Sequence, residues 1–518
     1  MQDPMAREHE TGPASHWLAT AHRRPRPRLD EDLTVDVAVI GGGIAGLATA
    51  WELARAGREA VVFEAGRILS GTTGCTTGKI TALHGLRYEH LRRSVGAEGA
   101  GLYAAAQQDG VERTAALCAE LEMDAELEQR SAVTYVTEPG RVADVRAETA
   151  AARAAGIEAH FVTETGLPFP VAAAVRVDGQ YQFHPAAFLT LLADAFTAAG
   201  GRVYEHTRIT ALHELAHIRL ETEDGAVIRA TDAVVATGFP AFGPSSLLVR
   251  LTPRHELVVA APMPEAADPQ GMYVTSEDRT RSVRTAPYGA GRRLIVVTGE
   301  SFRPGAGDVG TRYARLEGWA RRYFPGFGAT GAPLRWAAQD VDSIDLVPYV
   351  GHMHPGTRHV FVATGFGGWG MSNGMAAGRL LTAHLLGGPR PSWTELFDPR
   401  RPASPREWPD LVRSQKEVAA HYLGDRRHLE RAEQLDTLLP GMGVVVRDHG
   451  QPRAVQRDAS GVLHSLSARC THMGCLVAYN EAEQTWECPC HGSRFAPDGT
   501  VLQGPATDPL PRRARPDV

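Results

Sequence analysis

Thiols and imidazoles gather near the carboxy end at spacings suited to metal or redox chemistry: Cys470, His472, Cys475, Cys488, Cys490 and His491. The 518-residue chain has six cysteines, and four of them fall between positions 470 and 490. A secreted disulfide scaffold spreads its cysteines through a short chain, which is not the pattern here. Cys470-Thr-His472 followed by Cys488-Pro-Cys490-His491 reads C-x-H and then C-x-x-H. That set suits a tetrahedral zinc ion or an iron–sulfur centre bound through both sulfur and nitrogen.

A second chemistry lies near the amino end, where Gly41-Gly42-Gly43-Ile44-Ala45-Gly46 matches G-x-G-x-x-G. Gly41 allows a tight turn, Gly43 lets backbone approach a pyrophosphate, and Gly46 lets a helix press against a strand. Glu64, at the end of the next apolar run, is placed to bind ribose hydroxyls, and its charge would repel the 2′-phosphate of NADP. These groups work only between a strand and a helix start. The sequence predicts that βαβ unit: a strand from Val35 to Ile40, a helix through Ala56 and a strand from Ala60 to Phe63.

Four stretches resemble the flavin oxidoreductases of the D-amino acid oxidase superfamily, which includes glycine oxidase, sarcosine oxidase and related amine dehydrogenases. They are Val39 to Gly46, Ala233-Val-Val-Ala-Thr-Gly238, Asp345-Leu-Val-Pro348 with Gly351, and Phe361-Val-Ala-Thr-Gly365-Phe-Gly-Gly-Trp-Gly370. The resemblance implies FAD bound by Gly41, Gly43, Ile44, Ala45, Gly46, Glu64, Thr73, Gly74, Cys75, Thr237, Gly238, Gly365, Phe366, Gly367, Gly368, Trp369, Gly370 and Met371. It also implies that a helix with Met371, Ser372 and Asn373 in its first turn points its amino end at the flavin pyrimidine. There the helix dipole stabilises the negative charge of reduced flavin. Some relatives attach FAD covalently near Cys75, which is read either as that attachment point or as a small residue packed beside the cofactor. A second G-x-G-x-x-G is absent, which weighs against an NAD(P)H-driven ferredoxin reductase.

The carboxy-terminal run, Cys-Thr-His-Met-Gly-Cys from 470, Cys-Pro-Cys-His-Gly-Ser from 488 and Gly504-Pro505, resembles Rieske 2Fe–2S domains. That resemblance implies Cys470 and Cys488 on one iron, His472 and His491 on the other, and a disulfide between Cys475 and Cys490. Zinc is the alternative occupant. Ser493 is placed to donate a hydrogen bond towards a bridging sulfide. Phe495 stands where high-potential relatives have a Tyr, so an intermediate potential is expected. A Rieske oxygenase needs a mononuclear iron held by two His and a carboxylate, and no motif supplies it.

The expected fold is an α/β Rossmann-like FAD-binding domain with an inserted α+β substrate domain, followed by a small all-β Rieske domain. Expected bounds are a flexible tail over 1–34, the flavoprotein over 35–400 with its substrate subdomain at about 85–200 and 240–335, a linker over 401–437, and the Rieske domain over 438–518. A net charge of −6 argues against nucleic acid, no run reads as a membrane span, and a cytoplasmic location is the default expectation. His213-Glu-Leu-Ala-His217 fits H-E-x-x-H but sits in strand-like sequence, so it is not read as a zinc site. His84, His184 and His255 are read as structural histidines or flavin neighbours, His352 and His354 as solvated, and Cys118 as core.

The resemblance implies oxidation of a C–N bond in an amine or amino-acid-like substrate. Electrons would pass from FAD to the Rieske cluster and on to an external one-electron carrier or oxygen. Gln339, Asp340 and Trp369 are the candidate pocket residues. Gln339-Asp340 stands where many relatives have an Arg shortly after a Trp such as Trp336, which puts an α-carboxylate clamp there in doubt. Two alternatives are retained: a flavin monooxygenase or reductase fed through the cluster, and a non-metabolic electron-transfer or redox-sensing module.

Overall fold

The computed structural model describes residues 15–277, 279–289, 291–329, 331–404, 407–424 and 430–514. Strand Leu33–Ile40 is buried through its second half because it lies inside a parallel sheet covered on both faces. Its neighbours are Ala60–Phe63 and Val227–Val235, and helix Ile44–Arg55 makes the crossover between the first two strands. An added Cβ at Gly46 would collide with the Gly41 carbonyl, so glycine is what lets this helix start press on the strand end. Val360–Thr364 extends the sheet, and helix Gly370–Leu386 leaves its end. The H-E-x-x-H run lies on an antiparallel hairpin, Ile209–Glu214 with Ile218–Thr222, so its two imidazoles do not share a helix face.

A second, curled sheet has nine strands. Eight of them run from Leu334–Ser343 through Leu251–Pro264, Arg292–Phe302, Arg281–Pro287, Gly271–Thr275, Glu128–Val136 and Ala173–Gln182 to Lys79–Ile80, and the ninth, Ala159–Val162, also pairs with Ala173–Gln182. At its edge Leu251–Pro264 pairs antiparallel with Leu334–Ser343, setting Arg254 opposite Asp340 and His255 opposite Gln339. Cross-strand partners share a face and successive residues alternate. Arg254 and Asp340 therefore face one way, and His255 and Gln339 the other.

The carboxy-terminal domain, expected to be Rieske-like, is two small four-stranded sheets. Trp486, Phe495 and all four local cysteines lie in its core.

Two connecting segments carry packed elements, while positions 1–14 of the expected tail and 405–406 and 425–429 of the expected linker lie outside the described residues. Ser15 is not part of a loose tail: it caps helix His16–Thr20 by accepting from the Leu18 N–H, and Trp17 is fully buried. The cause is the apolar area of that indole, whose N–H also finds a partner in the Thr76 carbonyl at 2.6 Å. The segment read as a linker contains helix Trp408–Gly424, packed as a seam. Its Gln415 donates to the Val249 carbonyl, Glu417 pairs with Arg303, and Val418 packs on the Rieske core. Among the described residues no helix is long and apolar enough to cross a membrane.

Candidate active site and cluster site

One cavity follows the carboxy ends of the parallel strands, the position such sheets offer to ligands. Gly41, Gly43, Ile44 and Ala45 line it at the first turn, and Glu64 and Thr73 follow. Thr237 and Gly238, then Gly365, Phe366, Gly368, Gly370 and Met371, complete its flavoprotein side. Helices Ile44–Arg55 and Gly370–Leu386 both begin without a side-chain cap from their own N-cap residue, so two positive helix ends face this space. Glu64 is held by the N–H groups of Gly42 (2.7 Å) and Gly66 (2.9 Å), which oppose the upward push of burial on its pKa. This donor set fits FAD: Glu64 offers carboxylate oxygens suited to ribose hydroxyls, and the two helix starts offer positive ends suited to a pyrophosphate.

Five expected cofactor residues lie off this lining. Gly46 serves helix packing, and Gly74 fits against Leu69 and Leu18. Cys75, Gly367 and Trp369 line an adjoining cleft instead. Burial pushes the Cys75 thiol up to about 11. Nothing in the chain's spacing signals that Leu502, Gln503, Gly504, Ala506 and Thr507 of the carboxy-terminal domain also line the cofactor cavity. Arg208 donates to the Val501 carbonyl beside them at 2.9 Å.

The adjoining cleft has a volume of about 490 Å³ and shares Thr72, Thr76, Asp340 and Gly368 with the cofactor cavity. Asp340 accepts the N–H groups of Val341 (2.7 Å) and Gly368 (2.6 Å). Burial nevertheless lifts its carboxyl to about 6, against the pull of those donors and of Arg254. Lys79 hydrogen-bonds Ser282 and is pushed down to about 8 by burial, with Glu256 opposing. Trp369 stacks on His84 at 4.3 Å. His84 is fixed by the Tyr103 hydroxyl (2.6 Å) and the Thr81 carbonyl (2.8 Å), and burial holds its pKa well below the usual value.

Lys79, Arg87, Arg254 and Glu256 also line this cleft and were missed in the sequence. A signal was present: Arg254-His255-Glu256 interrupts an otherwise apolar strand. Gln339 does not line the cleft. Strand alternation turns it to the opposite face, whereas Ala338, Asp340 and Asp342 do line it. His255 shares the Gln339 face, and His184 caps helix Pro185–Ala198.

On that far face sit the cluster loops. Cys470 and Cys488 are buried with their thiols in hydrogen-bond contact, and the rings of His472 and His491 stand 5.0 Å apart at right angles. His491 Nδ1 is buried without a hydrogen-bond partner, as a ligand atom for iron would be in the bare protein. Cys475 and Cys490 form a disulfide. Three sulfurs, those of Cys475, Cys488 and Cys490, lie within 4.8 Å of one another, but two of them are bonded together, which leaves Cys488 as the thiolate of that group. The donor set of Cys470, Cys488, His472 and His491 fits a Rieske cluster. The Ser493 hydroxyl hydrogen-bonds Cys470 and accepts from the Ala506 N–H at 3.0 Å. His491 is 8% exposed whereas Met473, beside His472, is 56% exposed, so the cluster site has a protein side and a solvent side.

Residues 36–384 match the family described as FAD dependent oxidoreductase (DAO), and residues 429–513 match the Rieske 2Fe–2S domain. A Bacillus subtilis (strain 168) protein named as a Rieske 2Fe-2S iron-sulfur protein, YhfW, is 31% identical over 98% of this chain and 99% of its own length. Cytochrome b6-f complex iron-sulfur subunit 1 of Synechocystis is 49% identical over 15% of this chain and 46% of its own. Among solved structures, glycine oxidase from Geobacillus kaustophilus aligns with a TM-score of 0.59 at 21% identity, over 72% of this chain and all of its own. L-proline dehydrogenase from P. horikoshii aligns with a TM-score of 0.56 at 18% identity, over 71% and 98%.

Proposed function

Since the chain belongs to the FAD dependent oxidoreductase (DAO) family, carries a Rieske domain and so holds FAD and a 2Fe–2S cluster, we propose that it oxidises a C–N bond of an amine or amino-acid-like substrate and exports the electrons singly. The observation that carries this reading is the shared wall: Asp340 and Gly368 border both the cofactor cavity and the charged cleft, while the far face of the same strand pair meets the cluster loops. FAD supplies a two-electron acceptor for hydride and the cluster a one-electron outlet.

Within the cleft Asp340, charged above about pH 6, and Glu256 suit a cationic amine. Lys79 and Arg87 bond to Ser282, Tyr103 and Leu346 rather than to carboxylates, and so are available to an anionic substrate group. They thus offer the carboxylate anchor that the sequence after Trp336 put in doubt. The stacked Trp369 and His84 line the cleft with one continuous ring surface. Neighbours named glycine oxidase and L-proline dehydrogenase support the amino-acid direction. The half-buried His472 with exposed Met473 gives an outside carrier access to the cluster.

Anaerobic mixing with a panel of amines and D- and L-amino acids tests the reading. A substrate bleaches the flavin, and the electron paramagnetic resonance signal of the reduced cluster follows. If none bleaches it while a reduced ferredoxin reduces first the cluster and then the flavin, electrons run the other way and the reading is wrong.

A further inference from the structure

The wall between cleft and cluster carries, on its cluster side, a buried polar chain that substrate oxidation does not use. Gln339, 3% exposed, donates from Nε2 to the Gly492 carbonyl at 2.8 Å. Its Oε1 lies 2.6 Å from Nε2 of His255, its cross-strand neighbour. His255 Nδ1 lies 3.7 Å from Oε1 of Glu487, and both residues are fully buried. Glu487 also accepts the N–H of Gly305 and the side-chain amide of Asn480, each at 2.9 Å. Gly492 follows the cluster ligand His491, and Glu487 precedes the ligand Cys488. Two neighbouring side chains of the wall thus meet the ligand loop at both its ends.

The same residue reaches the cofactor side through its backbone. The Gln339 carbonyl accepts the Thr72 hydroxyl, and the adjacent Asp340 accepts the Gly368 N–H; Thr72 and Gly368 both line the cofactor cavity. The approach is close, for an added Cβ at Gly492 would stand 2.7 Å from both Gln339 Nε2 and Pro253 Cβ. An apolar pair could fill this interface as well. What the Gln339–Gly492 hydrogen bond adds is one fixed register between loop and wall.

We propose that Gln339, seated by His255, is the positioning residue that sets the Rieske ligand loop against the flavin for electron transfer. The inference rests on the proposed function only in requiring that flavin and cluster exchange electrons; the substrate plays no part. With both groups bound, the cluster would take one of the two electrons of reduced flavin at a time, the accompanying proton going to solvent. A second electron follows after an external one-electron carrier has reoxidised the cluster. Because transfer falls steeply with separation, a loop that drifts by ~1 Å slows it.

The test uses the full holoprotein and light with EDTA, which photoreduces bound flavin without a substrate. Flavin bleaching and the cluster signal are followed together in the native chain, in Gln339→Met, which keeps the length and removes the amide, and in Gly492→Ala, which pushes on the contact from the cluster side. The expected result is that Gln339→Met keeps the native bleaching rate and the native spectrum of dithionite-reduced cluster while photochemical reduction of the cluster slows by roughly tenfold or more, and that Gly492→Ala, at a positive φ beside His491, slows it at least as much. Native cluster reduction in Gln339→Met overturns the proposal. So does slowed flavin bleaching, which would return Gln339 to the cofactor or cleft side, or loss of cluster from Gln339→Met, which would make it a folding residue only. A chain that oxidises no amine but shows the expected photoreduction pattern would leave this inference standing and remove only the proposed substrate class.

Discussion

Asp340 borders both cavities with a carboxyl that burial raises to about 6, so it gains its charge just below neutral pH. If that charge holds the substrate ammonium, kcat/KM for a cationic amine rises as pH climbs through about 6. Asp340→Asn should then lose roughly 10- to 100-fold above that pH, the worth of a charge-assisted hydrogen bond of about 1.5–3 kcal/mol, and should flatten the profile. Anaerobic flavin bleaching across pH measures both. Stability carries the opposite sign: with a folded-state pKa above the ordinary 3.8, the folded chain binds the extra proton, so this group's contribution falls as pH rises from about 4 to about 6 and stays lost above. Asp340→Asn should therefore melt no lower than the native protein at neutral pH, and a clear drop in Tm would contradict the burial argument. In the Rieske core Phe495 is fully buried and pairs with Trp486 across two short strands. A hydroxyl there would stabilise the reduced cluster's added charge. Phe495→Tyr should raise the potential by on the order of 60 mV, the one-electron equivalent of about 1.4 kcal/mol, and a redox titration showing no rise would refute the idea.

A five-residue helix, His16–Thr20, bears on the cofactor loop more than its length suggests. Trp17 ties to Thr76, Ser15 hydrogen-bonds the Gly74 carbonyl, and Arg284 lies over the Trp17 ring while donating to the Thr77 and Gly78 carbonyls. Trp17→Ala should cost about 3–5 kcal/mol in unfolding free energy and weaken FAD retention together, since the loop it supports carries Thr72 and Thr73. Denaturant unfolding with and without FAD separates the two effects; a stability loss with unchanged retention would mean the helix supports the core but not the cofactor loop. The sequence concealed this helix because one turn shows no periodicity inside an Arg- and Pro-rich run. By contrast, Gly41 to Gly46 and Cys470 to His491 were legible because a phosphate turn and an iron centre each draw on residues close in the chain. The cleft was not: Lys79, Arg87 and Arg254 meet only after the nine-stranded sheet has curled. Period-2 alternation separates Gln339 from Asp340 in the sequence itself, but which face holds substrate and which holds the cluster depends on the neighbouring strand and the docked domain.

At the scale of the whole molecule the Rieske domain is part of the cofactor enclosure, because Leu502 to Thr507 close the cavity and Arg208, near Glu64, holds the Val501 carbonyl. The glycine oxidase of Geobacillus kaustophilus matches with its entire length against 72% of this chain, so the flavoprotein fold in that protein stands without a second domain. A chain ended after Gly424 should accordingly still fold and bleach with substrate, yet bind FAD about tenfold more weakly, equivalent to about 1.4 kcal/mol of lost enclosure. Reduction of an external one-electron carrier should cease. Fluorescence titration of the flavin-free forms measures the affinity, and an unchanged Kd would mean that Leu502 to Thr507 touch the cavity without holding its contents. A weakened Kd with intact bleaching would make the Rieske domain both outlet and lid. Loss of the domain would then deprive the flavoprotein of its cofactor as well as its acceptor, and adding excess FAD would restore bleaching but not electron export.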